Sequence, residues 1–186
     1  MSEKIAKRGL IVLDRDGVIN KDSAQFVKSS DEWQALPGSI AAVAALSRAG
    51  FQVAVASNQS GLARGLFDRK ALDAMHEKLH ALVAAEGGHI GCIVFCPHGP
   101  DDDCDCRKPK PGLLLQIAEH YELELDGVPV IGDSLRDLQA AATVGARPIL
   151  VRTGNGRKTE QQLGPPFENI DVFDDLAAAA TALIVD

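Results

Sequence analysis

The chain has 186 residues, 46% of them hydrophobic and 24% charged, which suits one globular domain with a core of its own. Its formal charge of −7 argues against nucleic acid as a partner, and any anionic substrate must be held by cations placed locally. No apolar run approaches a membrane span and Met1 to Arg8 lacks the apolar stretch of a signal peptide, so a cytoplasmic protein with four reduced or metal-bound cysteines is expected.

Leu10 to Leu13 reads as a strand buried on both faces. It ends in Asp14-Arg15-Asp16-Gly17, two carboxylates and a glycine that lets the chain turn away. Residues 17–36 have no sustained periodicity and read as a surface flap with a short hairpin, anchored by packing of Trp33. Pro37-Gly38-Ser39 opens a helix over 40–49, with Ile40, Val43, Ala44 and Leu46 as its apolar stripe and Gly50 as its stop. Residues 51–56 form the second strand, which leads into Ser57-Asn58-Gln59-Ser60-Gly61.

Asp68 caps a helix that runs to about Ala85. His76 and His80 could share a face of it, but no acidic or thiol partner is near in sequence, and both read as structural histidines. Residues 90–95 form the third strand, with Cys92 a small apolar filler. The loop 96–110 follows, and Pro111 starts a helix that reaches about His120. Residues 128–131 form the fourth strand and lead into Gly132-Asp133-Ser134, and 135–143 the next helix. Residues 148–151 form a fifth strand, 153–169 a loop, and a short helix near 176–183 closes the chain.

This alternation predicts an α/β fold, a doubly wound, Rossmann-like, mostly parallel sheet with helices on both faces, in a single domain over 1–186. In a parallel sheet every strand ends at the same edge. Asp14, Asp16, Ser57, Asp133 and the loop after Phe95 therefore converge there, where open α/β sheets bind ligands. Three carboxylates brought together repel one another, and a hard divalent cation such as Mg²⁺ relieves that. Ser57 and Asn58 offer donors to phosphate oxygens, and Arg107 and Lys108 offer cations. Such parts suit phosphoryl transfer, with one carboxylate as nucleophile and another as acid and base.

Asp14-Arg15-Asp16-Gly17, Ser57, Lys108 and Gly132-Asp133-Ser134-Leu135-Arg136-Asp137 together resemble the four motifs of the haloacid dehalogenase superfamily of phosphatases, over nearly the whole chain. The resemblance implies Asp14 as nucleophile and Asp16 as general acid and base. It implies Mg²⁺ held by Asp14, Asp133 and the backbone carbonyl of Asp16, with Ser57 and Lys108 on the phosphoryl group. Val18 and Ser57 stand where threonine is common in that superfamily.

Cys96, His98, Cys104 and Cys106 put three thiols and one imidazole within eleven positions, the ligand set of a closed, structural Cys₃His zinc site. A Cys104–Cys106 disulfide is geometrically poor. Zinc here would fix the loop that delivers Arg107 and Lys108.

Cys-Pro-His followed by Cys-Asp-Cys-Arg-Lys-Pro is similar to the subgroup that holds the heptose-bisphosphate and histidinol-phosphate phosphatases. Asn58 to Gly65 resembles the heptose branch. That resemblance implies Arg15, Asp22, Gln25, Asn58, Gln59, Ser60 and Arg107 at the substrate, and a phosphorylated heptose of lipopolysaccharide-core synthesis as that substrate. The segment Asp22-Ser23-Ala24-Gln25 and Ser134 depart from the heptose pattern. Histidinol phosphate is the alternative substrate. A phospho-accepting receiver domain is the alternative of another class, but its acceptor aspartate follows the third strand, which here leads into the cysteine loop. No interval between motifs has the residues for a separate cap domain, and a monomer with neither nucleic-acid nor membrane partner is expected.

Overall fold

The structure, a computed structural model, describes residues 9–185; Met1 to Arg8, the segment read as lacking a signal peptide, lies outside the described residues. Six strands, β1 (Leu10–Leu13), β2 (Gln52–Asn58), β3 (Cys92–Cys96), β4 (Pro129–Gly132), β5 (Arg147–Val151) and β6 (Asp171–Phe173), form one sheet in the order β3-β2-β1-β4-β5-β6. All pairings are parallel, so a helical crossover separates successive strands. The helices are α1 (Ser39–Arg48), α2 (Arg69–Ala85), α3 (Gly112–Tyr121), α4 (Leu135–Thr143), α5 (Gly156–Glu160) and α6 (Leu176–Val185).

The period of two along β1 decides which helix covers which face. Ile11 and Leu13 point to one side, where they join Val53, Val55, Ile131 and Ile149 and meet α1, α2 and α6 through Leu46, Leu72 and Leu183. Leu10 and Val12 point to the other, where they join Ala54 and Val130 and meet α3 and α4 through Leu113, Ile117 and Ala141. With so few aromatics, this two-layered cover of aliphatic side chains is the core. Among the described residues no helix is long and apolar enough to cross a membrane.

Two short elements differ from the sequence reading. The stretch read as a loop over 153–169 contains α5, whose five residues are too few for a periodic signal. A sixth strand, β6, pairs Asp171–Phe173 with Ile149–Val151. Three residues beginning with an aspartate carry no pattern of their own, and pairing to β5 makes them a strand.

The flap has isolated bridges at Asn20 in place of a regular hairpin. Its two ends are tied by Lys21 N–H to the Gln34 carbonyl (2.9 Å) and Leu36 N–H to the Ile19 carbonyl (2.9 Å). Trp33 is 1% exposed and anchors the flap in the α1/α2 side of the core, as expected. Loss of so large a buried side chain typically costs about 3–5 kcal/mol. From α2, Lys78 Nζ donates to the carbonyls of Ser30 (2.6 Å) and Trp33 (2.8 Å), which ties the flap to the helix. Between β1 and β3 the described residues contain only the flap, α1, β2, α2 and their loops, which leaves no room for a cap domain.

Candidate active site

β1 and β4 are neighbours in the sheet, and this brings Asp14 and Asp133 together at its carboxyl edge. The Asp14 N–H donates to the Ile131 carbonyl (2.9 Å), which locks the turn after β1 to β4. Asp14, Asp133 and Asp137 hold carboxylate oxygens within 4.8 Å of one another. Glycine makes this crowding possible. A Cβ on Gly17 (φ +86°) would lie 2.1 Å from Asp133 Oδ2, and one on Gly154 (φ +54°) 2.2 Å from it. The carboxylate therefore rests in a cradle that any other residue would fill.

Lys108 answers part of the negative charge. Its Nζ lies 2.8 Å from Asp14 Oδ1 and 2.6 Å from Asp137, and donates to the Ala56 carbonyl at 2.8 Å. Burial opposes the charge on Lys108, but Asp137 and Asp14 overcome this and raise its pKa above the ordinary lysine value. One ammonium does not balance three carboxylates. Burial, together with Asp137 and Asp133, pushes Asp14 well above the usual carboxylate range despite Lys108. Burial and Asp137 push Asp133 up to about 6, against hydrogen bonds from Asn155. Asp137 is not free to move: its Oδ2 accepts from the Ser134 N–H (3.0 Å) and hydroxyl (2.7 Å) at the start of α4.

Asp16 sits in a different cage. Arg15 Nη2 donates to both its oxygens (3.0 and 3.1 Å), Asn20 Nδ2 to Oδ1 (2.8 Å) and Gln59 Nε2 to Oδ2 (2.7 Å). Burial alone would raise this carboxyl; Arg15, Asn20 and Gln59 outweigh it and hold the pKa below the usual value. The two carboxylates of one Asp-x-Asp motif are thus pushed in opposite directions, the pattern of paired groups with different tasks.

The edge opens as a cavity of about 340 Å³. Asp14, Arg15, Asp16, Asp22, Asn58, Gln59, Ser60, Arg107, Lys108 and Asp133, all expected at the site, line it. Ser57 lies beneath the floor, 1% exposed, with its Oγ accepting from Gln59 Nε2 (2.7 Å). Arg15 is 1% exposed and its guanidinium faces Asp16 and His76, not open space. Gln25 is exposed and is not brought to the cavity; Phe26 and Val27 form the wall there. Asp22 reaches the edge through Asn155 Nδ2 (3.3 Å).

Several residues at the site were not among those expected there, although Arg64 and Arg136 lie within the Asn58 to Gly65 and Gly132 to Asp137 stretches. Asn155, in the stretch read as a loop, donates to Asp133 Oδ2 through its N–H (2.7 Å) and its amide (3.2 Å). Arg64 and Arg136 join Arg107 in the cavity wall, and Arg107's pKa is lowered by burial and by Arg136 and Arg64 nearby, so three cations converge. Arg64 also lies 5.7 Å over the ring of Phe26, clasping the flap. His76 is 9% exposed, in contact with Arg15 rather than idle. Its place in the stripe Leu72, Met75, His76, Leu79 was the available signal.

The loop 96–110 brings the Cys96, His98, Cys104 and Cys106 ligand atoms within 4.8 Å of one another, a group that could hold a metal ion. The four cysteines are free, and Cys92 is half-buried on edge strand β3, less enclosed than expected. The loop leads directly to the site: Arg107 Nη1 donates to the His98 carbonyl (3.3 Å), and Asn58 holds the Lys108 backbone.

A family model described as HAD-hydrolase-like matches residues 105–179, and one described as polynucleotide kinase 3 phosphatase matches 10–135. The chain is 57% identical over 178 residues to a D-glycero-beta-D-manno-heptose-1,7-bisphosphate 7-phosphatase of Pseudomonas aeruginosa, covering 95% of this chain and 98% of that one. It is 38% identical over 153 residues to the protein so named in Escherichia coli, covering 77% of this chain and 79% of that one. The crystal structure of a D,D-heptose 1,7-bisphosphate phosphatase from B. bronchiseptica complexed with magnesium and phosphate superimposes with a TM-score of 0.92 at 58% identity, covering 95% of this chain and 98% of that one.

Proposed function

Because the chain belongs to the D-glycero-beta-D-manno-heptose-1,7-bisphosphate 7-phosphatases, within the haloacid dehalogenase superfamily, we propose that it removes the C7 phosphate of that bisphosphate through an aspartyl-phosphate. The observation that carries this is the division of labour at the end of β1: Asp14 beside Lys108 and the acidic cluster, Asp16 caged by three donors.

In the first step an oxygen of Asp14 attacks the C7 phosphorus and the bond from phosphorus to the sugar oxygen breaks. Asp16 gives that oxygen a proton, and the heptose 1-phosphate leaves. In the second step Asp16, now a carboxylate, takes a proton from water. The water oxygen attacks phosphorus, the acyl-phosphate bond breaks, inorganic phosphate leaves with the proton that Asp16 took from water, and Asp14 and Asp16 are both restored as carboxylates. Asp16 is held ionised in the free site, so its proton must arrive with the substrate, as on a phosphomonoester whose second ionisation is near 6. Lys108 holds Asp14 in line and neutralises the phosphoryl oxygens. The Arg64, Arg107 and Arg136 group suits the second phosphate of a bisphosphate.

Unbalanced carboxylates in a glycine cradle fit a divalent cation, with Asp14, Asp133 and the Asp16 backbone carbonyl as ligands and Asp137 in support. A bound Mg²⁺ supplies further neutralisation of the phosphoryl group. At the cysteine loop, Cys96, His98, Cys104 and Cys106 would hold a zinc ion in a closed four-ligand site that fixes the loop. The separations are 3.8 Å for Cys96–Cys104, 3.1 Å for Cys96–Cys106 and 3.3 Å for His98 Nδ1–Cys106, so the four side chains converge on one point. Burial and its neighbouring thiols push Cys106 up to about 12, a burden that a cation among them would remove. We assign structural zinc there, and with it the reducing cytoplasm.

The polynucleotide phosphatase likeness covers residues 10–135, about two thirds of the chain, and a net charge of −7 disfavours nucleic acid. Steady-state rates on the heptose bisphosphate, histidinol phosphate and p-nitrophenyl phosphate test the reading. The bisphosphate is expected to lead in kcat/KM by at least about tenfold, from one added charged contact of 1–3 kcal/mol.

A further inference from the structure

We infer that His76 is a positioning residue for the proton-donating carboxylate, acting through Arg15. The inference rests on Asp16 being the acid and base.

The guanidinium of Arg15 spans two partners. Nη2 holds both oxygens of Asp16, and Nη1 lies 3.4 Å from His76 Nε2. Among the described residues Arg15 Nε has no hydrogen-bond partner, so the group is steadied only at its two Nη atoms. A guanidinium has donors and no acceptor, which makes His76 Nε2 the acceptor and places the ring proton on Nδ1. A protonated ring would set two cations together. Burial and Arg15 lower the pKa of His76 to about 4, which agrees with a neutral ring.

The imidazole is itself fixed. It belongs to the buried stripe of α2 and lies 6.0 Å from the Phe95 ring at 55°, while Arg69 covers Phe95 at 4.8 Å. Helix α2 is also hydrogen-bonded to the flap through Lys78, so the His76 ring sits on a helix tied to one wall of the cavity. Without the acceptor, Arg15 keeps only Asp16, and the ion pair can shift as a unit. Asn20 and Gln59 still hold Asp16 in the site, so the expected fault is a misplaced proton donor, not a lost one.

A misplaced donor costs rate only where the leaving oxygen needs a proton. A sugar alkoxide does; p-nitrophenolate leaves without one. The test compares kcat/KM for the first step on the sugar phosphate and on p-nitrophenyl phosphate in His76→Phe, His76→Leu and His76→Gln. Phe and Leu are expected to lose about tenfold on the sugar phosphate and less than about twofold on the aryl ester. Gln, with an acceptor near the Nε2 position, is expected to recover most of the loss. Equal losses on both substrates, no loss on the sugar phosphate, or no rescue by Gln would overturn the inference. Asp16→Asn runs in parallel: if it lacks the same leaving-group dependence, the proton-donor reading itself falls, whatever His76 does. Nitrogen NMR of the unaltered protein serves if the variants do not fold. An unprotonated Nε2 and protonated Nδ1 at pH 7 support the contact, and the opposite tautomer or a charged ring overturns it.

Discussion

Asn58 and Lys108 are joined at both edges of one amide: Asn58 Nδ2 donates to the Lys108 carbonyl and the Lys108 N–H donates to Asn58 Oδ1, each at 3.1 Å, across 50 residues of chain. The side chain of Asn58 thus extends β2 by one backbone-like pair and aims the lysine at Asp14. Asn58→Ala removes both bonds. We expect kcat/KM to fall by about tenfold or more, from 1–3 kcal/mol of lost hydrogen bonding. The loss should be alike on sugar and aryl phosphates, since Lys108 serves the transferred group. A selective loss on the sugar would mean that Asn58 touches substrate instead.

Asp14→Asn removes the proposed nucleophile and one of three crowded carboxylates. Turnover is expected to fall by at least about a thousandfold, since the covalent path is closed. The metal-free protein should melt no lower than the unaltered chain, because the lost charge was opposed by Asp133 and Asp137. Kinetics and thermal unfolding check the two halves separately. A variant with near-normal kcat would end the covalent mechanism.

The raised carboxylates make metal binding and pH interdependent. Asp133 binds its proton up to about 6 when folded and 3.8 when unfolded. Between those values the folded state holds more protons, so its contribution to stability is present below 3.8 and is lost as pH rises through 6. The gap amounts to about 3 kcal/mol at 1.36 kcal/mol per pH unit. A divalent cation competes with those protons. The rise in Tm on adding Mg²⁺ should be larger at pH 7.5 than at pH 5. An equal rise at both would place Mg²⁺ away from Asp133.

Zinc content is directly measurable. Protein purified without chelators should hold about one zinc per chain, the stoichiometry of a single closed four-ligand site. Cys104→Ser should lower its affinity for the metal and reduce activity. The residue does not line the cavity, so its effect must pass through the loop that carries Arg107 and Lys108. Zinc-free protein with full activity would remove the site.

The three arginines should separate by substrate. Arg64→Ala, Arg107→Ala and Arg136→Ala are each expected to lower kcat/KM on the bisphosphate about ten- to a hundredfold, from 1–3 kcal/mol per charged hydrogen bond. p-Nitrophenyl phosphate has no second phosphate and should be little affected. Equal losses for Arg107→Ala would assign it to the transferred phosphoryl group.

What the sequence determined by itself is the set of residues at the strand ends and their common edge. Apolar runs locate β1 to β5, and parallel crossovers leave their ends nowhere else to go. The cysteine and histidine quartet was equally legible, because ligands within eleven positions need no tertiary information to meet. The tertiary structure decided neighbours and directions. Sheet order alone sets β4 beside β1, and so Asp133 beside Asp14. It also turned Arg15 inward to His76, 61 residues away, and brought Asn155 to Asp133 and Phe26, not Gln25, to the wall. A side chain's direction is set by the competition for buried hydrogen-bond partners and packing space. Those partners come from distant segments, which no local period can reveal.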